Sequence, residues 1–272
     1  MLRHEFLRDL HRRVAPRTYL EIGVNDGRSL ALSRVPSVAV DPAFKVTVPI
    51  RCDVHLVKAT SDAFFARADP LRHLRGGRNP VRNLTHGRPL LGGYRGAPHL
   101  DLAFIDGMHL FEFALRDFMN VERHAGWWSV IVFDDMLPRG VDEAARDRHT
   151  VAWAGDVFKM IPVLARYRPD LLVIPVATAP TGVLVVLGAD PANRVLAEHY
   201  DEIIAEWVVP DPQAVPREII ERRGAADPRE LLASDLWAGL VRARRLHTPA
   251  SRGREQLRRA AAGISRPSRT TT

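Results

Sequence analysis

Cysteine is almost missing from this chain of 272 residues. Cys52 stands alone, so no disulfide can form within the chain, and a cysteine-based zinc site would lack its other thiolates. Long apolar runs are missing too: no stretch approaches the roughly 18–20 continuous apolar residues that a membrane-spanning helix needs. The first ten residues carry Arg3, Glu5, Arg8 and Asp9 and so lack the apolar stretch of a secretory signal, which makes the cytoplasm the expected location. Nor is there an internal repeat. What remains, 46% apolar and 26% charged residues, is enough for one sizeable buried core.

Acidic residues are absent from 71–100, which holds six arginines, and 242–272 sets nine arginines against Glu255 alone. These segments carry +6 and +8 of a net charge of +7, which leaves about −7 for everything else. The basicity therefore belongs to a loop insertion and to a tail, while the core domain is acidic. Glycine pairs and prolines mark 71–100 as a loop, and 248–272 reads as a solvated tail.

Short β-type runs at 18–22, 37–40, 55–58, 102–105, 129–133, 171–175 and 182–187 alternate with helical patterns at 29–33, 61–68, 110–123, 141–149, 152–167 and 191–207. The pattern predicts an α/β, Rossmann-like, seven-stranded and mostly parallel sheet with helices on both faces. A domain over 1–209 would be followed by a helical extension over 210–247, with a helix at 228–245 and then the tail. The run 129–133 is apolar throughout, as a central strand buried on both faces should be.

The first strand runs through Glu21 into Gly23 and Gly27, and a helix opens near Ser29. The spacing is G-x-x-x-G rather than the G-x-G-x-x-G that a pyrophosphate needs, and an acid precedes it, which suits a cationic ligand better than a dinucleotide. The second strand ends in Asp41, where such folds hold ribose hydroxyls. Glu21, Gly23 and Gly27 followed by Asp41 resemble the class I S-adenosylmethionine-dependent methyltransferases. That resemblance implies that Glu21, Gly23, Gly27 and Ser29 line the methionine end of the cofactor, that Asp41 takes the ribose, and that Ser61 and Asp62 contact the adenine.

The fourth predicted strand ends in Asp106-Gly-Met-His109 and the fifth in Asp134-Asp135. At the carboxyl ends of parallel strands these acids should converge on the rim that carries the cofactor loop. Three crowded carboxylates repel one another unless a cation neutralises them, and oxygen donors without sulfur favour Mg²⁺ or Mn²⁺. His109 is placed to accept a proton from a hydroxyl that the metal acidifies. This second group looks like the metal-dependent O-methyltransferases of the macrocin and mycinamicin type and, more distantly, the catechol O-methyltransferases. That likeness, spanning about residues 16–190, implies Asp106, Asp134 and Asp135 as ligands, His109 as general base and a small hydroxylated acceptor such as a sugar or natural product. The chain departs from those relatives in its Asp-Asp pair and its arginine-rich insertion.

Two alternatives stay open: methylation of RNA through the arginine-rich segments, and a non-catalytic cofactor-binding scaffold. A homo-oligomer is also left open. Trp153, Asp156 and Lys159 read either as a border of the acceptor site or, for Asp156 and Lys159 three residues apart, as a surface ion pair, and the surface pair is the preferred of the two.

Overall fold

The computed structural model describes residues 1–74 and 100–264. Seven strands form one sheet: β1 Tyr19–Ile22, β2 Ser37–Val40, β3 Val54–Val57, β4 Leu100–Ile105, β5 Ala125–Asp134, β6 Leu172–Val176 and β7 Val183–Leu187. Their order is β3-β2-β1-β4-β5-β7-β6, and β7 alone runs antiparallel to its neighbours. The chain works outward from β1 to β3 on one side and restarts at β4 on the other, so the carboxyl ends of β1 and β4 border the crevice where the order reverses. The expected mostly parallel, Rossmann-like sheet is thus the observed one, with every residue of β4 buried.

The helices are α1 Arg3–Val14, α2 Ser61–Phe65, α3 Phe111–Glu122, α4 Met160–Tyr167, α5 Val195–Glu198, α6 Tyr200–Trp207, α7 Arg217–Ile220, α8 Pro228–Ala233, α9 Leu236–Arg245 and α10 Ala250–Ile264. One core layer packs Leu20, Ile22, Ile131 and Phe133 against α2 to α6. The opposite layer packs Tyr19, Phe104, Val130 and Val132 against α1 and the C-terminal helices. Strand alternation sorts these residues, because successive side chains point to opposite faces.

Several helical expectations change. Residues 141–149 form turns rather than a helix, 152–167 narrows to a 3₁₀ turn and α4, and both 191–207 and 228–245 break into two helices. Helix α1, whose charges obscure its apolar face of Phe6, Leu7, Leu10 and Val14, joins the list.

The reading of 248–272 as a solvated tail does not hold over 250–264, which form α10. Leu257 is buried there, and Arg254 donates to the carbonyls of Gly188 and Ala189 and pairs with Asp190 at 3.0 Å. Of the expected insertion 71–100, residues 75–99 lie outside the described residues. Among the described residues no helix is long and apolar enough to cross a membrane.

Helix α10 reaches the sheet at Gly253, where a Cβ would fall 2.4 Å from the Trp127 ring, and Trp127 is itself anchored by donating to the Thr248 carbonyl. Gly253→Leu should therefore cost about 1–3 kcal/mol through overpacking, at about 2–4 °C per kcal/mol in a chain of this size. Gly239 in α9 has nothing within 4 Å of the equivalent position. Gly239→Ala should leave the melting temperature unchanged or raise it, so equal losses in the two variants would show that the α10 contact is not the cause.

Candidate functional site

The site begins with a close approach. Gly23, at φ +86°, leaves β1 so near the end of β4 that a Cβ on it would lie 1.8 Å from the Asp106 carbonyl oxygen. Only glycine fits there. The loop that follows is held by Asp41 at the end of β2. Its Oδ2 accepts the amides of Val24 and Asn25, both at 2.8 Å, and its Oδ1 accepts that of Ala43 at 2.6 Å. Asp41 therefore shapes the loop first, with one of about four carboxylate acceptor positions left over.

Gly23, Asn25 and Asp41 line a cavity of about 680 Å³, which also touches Ser61, Asp62, Asp106, His109 and Asp135. Glu21, Gly27 and Ser29 do not line it. Glu21 is 0% exposed on the face that α1 covers, where it accepts the Tyr19 hydroxyl at 2.5 Å and the Ser29 hydroxyl at 3.0 Å. Burial pushes its carboxyl up to about 8, against the pull of those two hydrogen bonds. The expectation that Glu21 meets a cationic ligand with its charge is replaced by a neutral, buried acid bracing the loop from behind.

The second group forms at the ends of β4 and β5. Asp106, His109 and Asp135 offer ligand atoms within 4.8 Å of one another. His109 Nε2 lies 3.3 Å from Asp106 Oδ1, and its Nδ1 lies 3.1 Å from both Asp135 Oδ2 and the Trp153 carbonyl oxygen. A carbonyl can only accept, so Nδ1 carries the hydrogen and Nε2 is the basic nitrogen of the neutral ring. Burial works against a charge on His109, but Asp106 and Asp135 outweigh it and raise its pKa above the ordinary histidine value.

Asp134 is not part of this group. It sits on the α1 face, where Arg3 pairs with it and also reaches Asp106 at 3.3 Å. An isolated β-bridge between Leu2 and Ala179 delivers Arg3, because Arg3 N donates to the Ala179 carbonyl and Ala179 N to that of Met1. Asp135 turns the other way at φ +61° and accepts the Thr181 hydroxyl.

Behind His109 the backbone is gripped again. A Cβ on Gly155 would lie 1.7 Å from the His109 carbonyl oxygen, and Trp153 stacks on the imidazole with ring centroids 5.0 Å apart. Asp156 and Lys159 are buried rather than a surface pair: Asp156 accepts the Phe111 amide that opens α3, the Lys159 ammonium at 2.8 Å and Arg146 at 2.7 Å. Arg146 in turn grips Glu112.

At the far end of the cavity, Thr60 caps α2, and Asp62 is occupied by Arg116 from α3. Sequence reasoning passed over Asp117 beside it, although an acid next to Ala114, Phe118 and Val121 on an apolar helix face is a legible signal. For Arg3 no local signal exists, since only the folded chain brings residue 3 to residue 134.

No family model and no curated protein matches the chain. Solved structures align with it over about two thirds of its length. An O-methyltransferase from Bacillus cereus in complex with SAH is 15% identical over 68% of this chain and 80% of that one, with a TM-score of 0.42. TomG, an O-methyltransferase from Streptomyces achromogenes involved in tomaymycin synthesis and solved with SAM, is 18% identical over 68% and 78%, at 0.44. Cofactor-bound Rv0187 from MTB is 19% identical over 68% and 78%, at 0.43.

Glu21 supplies a pH test. Its folded pKa lies above the unfolded value, so its contribution to stability is full below about pH 4.5 and is lost as pH rises through about 8. Between pH 6 and 8 the wild type should lose on the order of 2 kcal/mol from this group, seen as a falling melting temperature. In Glu21→Gln that part of the slope should vanish, and an unchanged slope in the variant would refute the assignment.

Proposed function

We propose that this chain is an S-adenosylmethionine-dependent O-methyltransferase that methylates a hydroxyl of a small molecule, such as a sugar or natural product, in the cytoplasm. The carrying observation is that one cavity joins the loop of Gly23 and Asp41 to the cluster of Asp106, His109 and Asp135. A nucleoside donor at the loop and an acceptor oxygen at the cluster would then be neighbours in one cavity, which is the geometry that transfer requires.

The donor set, two carboxylates beside one imidazole with no sulfur, fits a divalent cation such as Mg²⁺ or Mn²⁺. Asp106 and Asp135 would hold it, whereas Asp134 is engaged by Arg3. When bound, S-adenosylmethionine supplies an electrophilic methyl group and the cation supplies charge that acidifies a nearby hydroxyl. The chain's own residues do the remainder. Trp153 fixes the His109 ring by stacking on it and by accepting Nδ1–H, which leaves Nε2 to take the acceptor's proton. Arg3 neutralises Asp134 and steadies Asp106.

A small acceptor is favoured over RNA because two described arginines of the C-terminal segment, Arg244 and Arg254, are used within the fold. Arg254 binds the carbonyls after β7, and Arg244 donates to the carbonyls of Val14 and Ala15.

Methyl transfer from labelled S-adenosylmethionine to a panel of diol-bearing acceptors tests the reading. Activity should be lost on chelation and restored by Mg²⁺ or Mn²⁺. His109→Ala should lower kcat by about 10²–10⁴-fold. Turnover indifferent to chelator and to Asp135→Asn would remove the cation from the reaction, and the absence of transfer to any acceptor, with tight donor binding, would favour the scaffold reading.

A further inference from the structure

We propose that Arg148 recognises the acceptor, and that the acceptor carries an oxyanion, a carboxylate or a phosphate, away from the hydroxyl that is methylated. The inference rests on the reading above of a small hydroxylated acceptor such as a sugar, and it narrows that substrate class.

The charges of the cavity wall single Arg148 out. Asp41 is engaged by loop amides and Asp62 by Arg116, Arg3 faces Asp134 and Asp106, and His109 stands between Asp106 and Asp135. Arg148 lines the same cavity, yet no hydrogen bond or ion pair engages its guanidinium among the described residues. Its contact is with an aromatic face: the guanidinium carbon lies 5.9 Å from the centre of the Trp153 ring, and Trp153 is stacked on His109. Through those two rings the unanswered cation belongs to the acceptor side of the cavity rather than to the glycine loop.

The chain around Arg148 is an arch with fixed feet. At one foot the amides of Arg146 and Asp147 donate to the Asp211 carboxylate at 3.0 and 3.1 Å. At the other, the amides of Ala154 and Gly155 donate to the Glu143 carbonyl, and the Trp153 indole donates to that of Ala145. Val151, between the feet, is 98% exposed and lines the cavity, and Met108, 58% exposed, lines it from the β4 end. A free guanidinium flanked by open apolar side chains suits a ligand that has an apolar face and a single anionic group. The parallel N–H groups of a guanidinium match two oxygens of a carboxylate or a phosphate.

Such an anion sits apart from the reacting oxygen, so it is held equally in the ground state and the transition state. Arg148 should therefore act on KM rather than on kcat.

Initial rates of the full chain, loaded with Mg²⁺, on benzyl glucosides that differ only at C6 test the assignment. The four members bear a hydroxyl, a carboxylate, a phosphate or an ammonium group, and the matching galactosides form a second set. The wild type should favour the carboxylate or the phosphate member over the hydroxyl member by about 5- to 20-fold in kcat/KM. Which of the two gains more identifies the oxyanion, and added salt should shrink the gain. Arg148→Gln should bring anionic and neutral members to within about threefold of each other, through KM. Arg148→Glu should turn the preference toward the ammonium member, a change that misfolding cannot produce.

A wild-type preference for the neutral member, or an oxyanion preference that survives Arg148→Gln, would overturn the role of Arg148 and leave methyl transfer standing. So would a matching loss of S-adenosylhomocysteine affinity in Arg148→Gln, which would put the recognised anion on the donor. Absence of transfer to every member of both sets, with the donor bound, would instead overturn the acceptor reading on which the proposal rests.

Discussion

Segment 106–109 is gripped between two glycines, and the geometry of the site depends on that grip. Gly23 lets the end of β1 touch the Asp106 carbonyl, and Gly155 lets the downstream loop touch the His109 carbonyl. Any side chain at either position would force the backbones apart by more than an ångström. The loop after Gly23 would then separate from Asp106, and Trp153 from His109. Asp41 adds the third restraint by tying the loop amides to the end of β2.

Within that frame the charges are balanced locally. Arg3 answers Asp134, His109 stands between Asp106 and Asp135, and Asp156 is matched by Arg146 and Lys159. Buried ionic groups of this kind are weak contributors to net stability, because desolvation offsets most of the attraction. Their value here is positional. Asp156 fixes the first amide of α3, which sets the direction of the helix that carries Phe113 and Asp117 into the cavity.

The strands were legible because a sheet buried on both faces writes itself as short apolar runs, and β4 and β5 are the clearest of these. Helix α1 was harder to see, since its charges fall in every turn and only its 6, 7, 10, 14 spacing betrays the buried face. The site residues divide along the same line. Gly23, Asp41, Asp106, His109 and Asp135 sit at strand ends, where topology alone carries them to one rim. Glu21 and Asp134 were misplaced because motif reading ignored the alternation of strand side chains. Tyr19 and Glu21 share the face of β1 that α1 covers, and Val130, Val132 and Asp134 share that of β5. Two consecutive aspartates therefore part company, one toward Arg3 and one toward His109. Arg3 and the docking of α10 on Trp127 depend on contacts between chain ends, which no local pattern encodes.

The claim that one cavity takes both a sulfonium nucleoside and a divalent cation is tested most directly by anomalous diffraction from crystals grown with S-adenosylhomocysteine and Mn²⁺. The account predicts a manganese peak between Asp106 and Asp135, with the thioether sulfur in the same cavity beside the Gly23 loop. Ordered ligand outside that cavity, or a manganese peak elsewhere with Asp106 and Asp135 turned apart, would contradict it.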